Sequence, residues 1–230
     1  MHYKALIFDM DDTLFNEIEF VFSGFKAVDD WLKTNWNQQG FYKTATNIFL
    51  NGDNQLVFNK ALDCMGIDYT SSQITKMVDV YRNHSPNINI LEDFLELQMK
   101  IKPWVKLGVI TDGYLVTQKN KARSLRLNDY FHTIIFTDEY GKEYWKPHRH
   151  SYDMICEEFS CQPTECIYIG DNINKDFITA KQLGWRTIQI LRNESIYKNQ
   201  KVEEHYKAHH KIKDLREITE IDELKALFCE

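Results

Sequence analysis

Several things are scarce in this sequence. Four Pro and nine Gly among 230 residues leave no stretch with the composition of a long flexible linker. No apolar run approaches the ~20 residues a membrane span needs. His2, Tyr3 and Lys4 lead toward acidic residues rather than into a signal-peptide core. An excess of positive charge is also missing. Lys and Arg number 28 against 34 Asp and Glu, a net charge of −6, which argues against a general grip on nucleic acid. A small anion is not excluded, because one local lysine and a metal suffice to hold phosphate. Cys64, Cys156, Cys161, Cys166 and Cys229 form an odd set without a CxxC pair and read as reduced thiols of a cytoplasmic protein. Neither repeats nor low-complexity tracts occur. The 43% hydrophobic and 27% charged residues suit one α/β domain, or a core domain with a small insert.

Short apolar runs end at polar residues. Ala5-Leu6-Ile7-Phe8 stops at Asp9, Leu107-Gly108-Val109-Ile110 at Thr111, and Cys166-Ile167-Tyr168-Ile169 at Gly170-Asp171. Such runs suit strands buried on both faces. Weaker versions span 133–136 and 187–191. Helical patterns cover 91–101, 115–125, 151–159 and 176–183. The alternation predicts a Rossmann-like parallel sheet with helices on both faces. Ligands of such sheets bind at the carboxyl ends of strands. The stretch 16–87 differs, with apolar residues at helical spacing such as Phe20, Phe25, Val28, Leu32, Phe58, Leu62, Met77 and Tyr81. It reads as an inserted bundle of about four helices, a cap on a core of 1–15 and 88–230.

Four motifs carry chemistry. In Asp9-Met10-Asp11-Asp12-Thr13, one carboxylate can attack phosphorus while a second donates a proton to the leaving oxygen. Its bland reading is an acidic turn that caps a helix. Thr111-Asp112-Gly113 offers a hydroxyl and backbone N–H groups to a phosphate, or simply an N-cap. Lys146-Pro147 places a cation in a loop ahead of a helix, with Pro147 near its first turn. A surface lysine is the plainer alternative. Asp171 and Asp176, in Gly170-Asp171-Asn172-Ile173-Asn174-Lys175-Asp176, suit Mg²⁺, which takes oxygen ligands and tolerates converging carboxylates. Separately each motif is ambiguous; in this order, three of them at strand ends, they point to one site.

These motifs resemble those of the haloacid dehalogenase superfamily, specifically its phosphatases with a helical cap inserted after the first motif. The likeness covers nearly the whole chain. It implies Asp9 as nucleophile, Asp11 as general acid/base, and Thr111, Asp112, Gly113 and Lys146 around the phosphate. It also implies Mg²⁺ held by Asp9, the Asp11 backbone carbonyl and Asp171, with Asp176 in support. The run through Gln118, Lys121 and Leu127 is similar to the branch with pyrimidine nucleotidases and N-acylneuraminate-9-phosphatase. Three departures stand out. Asp112 replaces a usual Asn, so its side chain should point away from phosphate. The 141–146 loop looks about two residues longer than is usual in the family, and Asp12 stands where Gly is common.

Lys119, Lys121, Arg123 and Arg126 read as the solvated side of a helix, and the cap aromatics as bundle core. His205 and His209 have helix-face spacing but do not argue for a second metal. The function expected is hydrolysis of a small phosphorylated metabolite, a sugar phosphate or nucleoside monophosphate. Alternatives are phosphomutase or dehalogenase chemistry on the same fold, or a non-catalytic binding protein. No feature points to a protein partner.

Overall fold

The computed structural model describes residues 3–52, 54–192 and 203–229. The chain divides into two compact units, one of residues 1–17 and 89–230, the other of residues 18–88.

In the larger unit, β1 (Ala5–Phe8) is followed, after the inserted unit, by α5 (Glu92–Lys100), β2 (Lys106–Thr111), α6 (Leu115–Ser124), β3 (Thr133–Phe136), α7 (His150–Glu158), β4 (Cys166–Gly170), α8 (Ile178–Leu183), β5 (Arg186–Ile190) and β6 (His210–Ile212). All strands pair in parallel, in the order β3-β2-β1-β4-β5-β6. This is the doubly wound order in which a crevice opens where the connections change direction. β1 and β4 are buried along their whole length, which explains why both are apolar without alternation. One face of the sheet packs Ile7, Ile110 and Tyr168 against Tyr152 and Ile155 of α7 and Ala180 of α8. On the other, the ring of Phe8 lies edge-on to Phe94 of α5, 5.5 Å between centroids, and Phe94 stacks on Phe131 at 5.2 Å.

Register decides what the sheet presents. Phe8 stands opposite Val109 on one side and Ile169 on the other. The ends of β1, β2 and β4 are therefore nearly level, and the residues after them share one edge. The two passages into and out of the insert are tied together inside this unit, where the Leu91 N–H donates to the Leu14 carbonyl at 2.9 Å.

The smaller unit consists of α1 (Glu17–Trp36, whose first residue belongs to the larger unit), α2 (Phe41–Leu50), α3 (Val57–Cys64) and α4 (Ser71–Asn83). Phe25 is its hub, with ring centroids of Phe41, Phe49, Phe58 and Tyr81 at 6.0–6.4 Å. Gly24 is needed for close approach, since a Cβ there would lie 2.3 Å from the Tyr81 ring. Thr70 and Gln73 form a capping box at the start of α4. Ser23 Oγ accepts from the Asn87 N–H at 2.8 Å, which fixes the returning segment against α1.

Pro147 lies in the loop three residues before α7, and the Lys146–Pro147 peptide is cis. One expectation needs correction. His205 and His209 share no helix, since only a short 3₁₀ turn at Glu204–Tyr206 lies there. β6 was not anticipated at all. Among the described residues no helix is long and apolar enough to cross a membrane.

Candidate active site

β1 ends one residue before Asp9, and the Asp9 N–H continues the ladder to the Ile169 carbonyl at 2.8 Å. The nucleophile candidate is thus held by sheet hydrogen bonding, not by a loose loop. The chain then turns sharply. Asp12 takes φ +49°, a left-handed conformation in which Gly is the easiest residue and Asp one of the few tolerated others. Its Oδ1 accepts from the Glu17 N–H at 2.8 Å, capping α1. The acid in the Gly position therefore acts as a cap. Beyond it, Arg192 donates to the Thr13 carbonyl at 2.7 Å while paired with buried Asp93, which anchors the exit of the turn.

Lys146 is buried and central. Its Nζ bonds Asp9 Oδ1, and lies 2.9 Å from Asp176 Oδ1 and 2.8 Å from the Tyr168 hydroxyl. Burial would lower its pKa, but Asp176 and Asp9 outweigh that and hold it well above the usual lysine value. The 141–146 loop does not carry this lysine away. A short 3₁₀ turn, Lys142–Tyr144, lies within this loop. One ligand atom from each of Asp9, Asp171 and Asp176 lies within 4.8 Å of the others, all three residues buried. Asp9 is raised to about 7 by burial and by Asp176, against the pull of Lys146. Asp171 is also raised well above its usual value by burial, Asp9 and Asp176. Converging carboxyls that resist ionisation without a cation are what an oxygen-liganded divalent ion relieves, so the donor set fits Mg²⁺. Asp176 is further fixed by the Asn172 N–H at 2.9 Å. Gly170 makes room for it, since a Cβ there would lie 2.4 Å from its Oδ2.

Thr111 and Asp112 close the site from β2. Asp112 Oδ1 accepts from the Thr137 hydroxyl at 2.9 Å and from the Lys146 N–H at 3.0 Å, while Oδ2 pairs with Lys175 at 2.9 Å. Burial would raise this carboxyl, but Lys146 and Lys175 hold it below the ordinary range. Asp112 therefore spends its side chain binding the lysine loop and the Asp171–Asp176 loop together. Gly113, at φ +128°, makes the turn into α6 that a side chain would strain.

Sequence reading missed several neighbours. Lys121 was expected to be solvated. It is buried instead, with Nζ 2.6 Å from Asp11 Oδ1. Gln118, also buried, donates to Asp11 Oδ2 at 2.7 Å and to Thr111 Oγ1 at 2.6 Å. The signal was their i,i+3 spacing just after Thr111. Lys175 was hidden inside an acidic motif. Tyr168 looked like ordinary strand core. Glu17, at the start of α1, is pushed up to about 8 by burial and by Asp11.

A carboxylate triad with a buried lysine thus stands at the carboxyl edge of a doubly wound sheet. The chain belongs to the haloacid dehalogenase-like hydrolase family, whose pattern it matches over residues 6–190. Among curated relatives is a protein named glyceraldehyde 3-phosphate phosphatase from Methanocaldococcus jannaschii, 29% identical over 95% of this chain and 96% of its own length. Two solved structures share the fold. A subfamily IA hydrolase of Geobacter sulfurreducens has a TM-score of 0.66 and 19% identity, covering 95% of this chain and 96% of its own. YfnB of Bacillus subtilis, solved with magnesium, has a TM-score of 0.63 and 18% identity, covering 96% and 99%. None of the three carries the name of the pyrimidine nucleotidase branch.

Proposed function

We propose that the chain is a Mg²⁺-dependent phosphomonoester hydrolase of small metabolites that works through an aspartyl-phosphate on Asp9. The observation that carries this reading is the contact of buried Lys146 with Asp9 inside the cluster of Asp9, Asp171 and Asp176. In this reading Asp9 Oδ attacks phosphorus as the ester P–O bond breaks. Asp11 gives a proton to the departing alcohol oxygen and then takes one from the water that cleaves the acyl phosphate. Lys146 and the Thr111 hydroxyl balance charge on the phosphoryl oxygens. When bound, Mg²⁺ would supply electrostatic stabilisation of the transferring phosphoryl group, held by Asp9, Asp171, the Asp11 carbonyl and Asp176.

The name of the Methanocaldococcus relative favours a short sugar phosphate over a nucleotide. The free thiols of this chain suit the cytoplasm. The test is phosphate release from a panel including glyceraldehyde 3-phosphate, other triose and hexose phosphates, and nucleoside monophosphates, with Mg²⁺ and with EDTA. Mg²⁺-dependent turnover, highest on short sugar phosphates, is expected. No phosphate release from any ester would overturn the reading.

A further inference from the structure

A helix lying against a sheet ordinarily buries an apolar stripe. In α6 the buried residues are Thr117, Gln118, Lys121 and Ala122, three of the four polar. Burying a lysine and an amide is costly unless each is paired, and little apolar contact is gained in return. The pairing runs to two different motifs. Lys121 Nζ meets Asp11 Oδ1 at 2.6 Å, and Gln118 Nε2 meets Asp11 Oδ2 at 2.7 Å and Thr111 Oγ1 at 2.6 Å. The amide orientation follows from chemistry, because Oε1 in that place would face a carboxylate oxygen. Gln118 uses one nitrogen with two hydrogens to join the turn after β1 to the end of β2.

We propose that Gln118 and Lys121 are positioning residues of the phosphoryl-transfer site. Together they hold both carboxyl oxygens of Asp11, and Gln118 also sets the direction of the Thr111 hydroxyl. The inference rests on the function proposed above. Thr111 Oγ1 accepts from Gln118, so its own O–H must point elsewhere and is left to donate to a phosphate oxygen. Asp11 held from both sides keeps its place beside the leaving oxygen and, later, beside the attacking water. Proton transfer is sensitive to such placement. Gln118 thus bonds both Asp11 and Thr111, whereas the contact of Lys121 that bears on the proton donor is the one with Asp11.

That difference gives the test. Wild type, Lys121→Met and Gln118→Met are compared, with Mg²⁺, on 4-nitrophenyl phosphate and on an alkyl phosphate such as glycerol 3-phosphate, and for competitive inhibition by inorganic phosphate. The alkoxide needs a proton to leave and nitrophenolate does not. Since kcat/KM reports the steps up to alcohol release, both variants should lose about tenfold or more in kcat/KM on the alkyl ester beyond any loss on the aryl ester. Inhibition by phosphate should weaken about tenfold in Gln118→Met and less than about threefold in Lys121→Met. Circular dichroism checks folding. If Gln118→Met does not fold, the isosteric Gln118→Glu replaces it, with phosphate inhibition weakened still further. Equal loss on both esters, or phosphate inhibition unchanged in the Gln118 variant, would overturn the inference and leave a structural role. A wild type inert toward every ester would instead overturn the proposed function.

Discussion

Asp112 shows how one substitution can be absorbed by its surroundings. A carboxylate beside a phosphate site should repel the substrate, yet this one is engaged by Lys175, the Thr137 hydroxyl and the Lys146 N–H. Lys175 is expected to be needed mainly because Asp112 is charged. Lys175→Met should raise KM for phosphate esters about tenfold, since the buried Asp112 carboxylate then loses its ion pair and adds negative charge beside the substrate. The double variant Asp112→Asn with Lys175→Met should recover most of that loss. Equal KM in the single and double variants would show that the pair does not govern substrate charge. If Asp9 is the nucleophile as proposed, Asp9→Asn keeps the shape and removes the attacking charge, so turnover should fall by more than about a thousandfold with an unchanged circular dichroism spectrum. Residual turnover within tenfold of wild type would exclude the covalent route.

Among the elements, the turn after β4 is the most constrained. Gly170→Ala would drive a methyl group into Asp176, and the contact must be relieved by moving a residue of the carboxylate triad. The expected outcome is a higher Mg²⁺ requirement, read as a rightward shift in activation by Mg²⁺, with only a small change in Tm. The far end of the sheet offers a pH test. Glu223, in the 3₁₀ segment Asp222–Leu227, joins Arg186 of β5 at 2.6 Å to His210 of β6 at 2.7 Å. Arg186, then His210, lowers its carboxyl to about 2. A depressed acid stabilises the fold above its unfolded value near 4.5 and loses that contribution as pH falls through its folded value. Glu223→Gln should therefore lower stability by about 1 kcal/mol at pH 7, a modest figure because the pair is partly exposed. The gap between wild type and variant should narrow from about pH 4.5 down to pH 2. A gap in Tm that stays constant over that range would mean that charge is not the cause. Elements differed in how well the sequence revealed them. Strands β1, β2 and β4 were readable because their apolar runs are buried, while the half-buried β3 and the mixed run of β5 gave weaker signals. The β6 run His210-Lys211-Ile212 has one apolar residue and is held by pairing with β5, which no local pattern announces.

Across the whole molecule, the carboxylate triad is a store of repulsion that a divalent cation should release. Burial and mutual charge raise both Asp9 and Asp171, so an ion that binds only the folded chain should stabilise it by mass action. Thermal melts in EDTA and in millimolar Mg²⁺ are expected to differ by several degrees, and Asp171→Asn should shrink the difference. Equal melts under both conditions would argue that the triad does not hold the ion. The amino-acid sequence by itself determined the parallel α/β class, because strands buried on both faces must be apolar and must stop where they reach the edge. It also determined which chemical groups stand at those stops, since Asp9, Thr111 and Asp171 each follow an apolar run. Only tertiary structure decided the company these groups keep. Strand order and register bring the ends of β1, β2 and β4 level. The turn after Gly113 then rolls α6 so that Lys121 and Gln118 face inward to Asp11. A polar residue at helical spacing ordinarily signals solvent, and its burial becomes favourable only when a partner from a distant part of the chain has already been placed beside it.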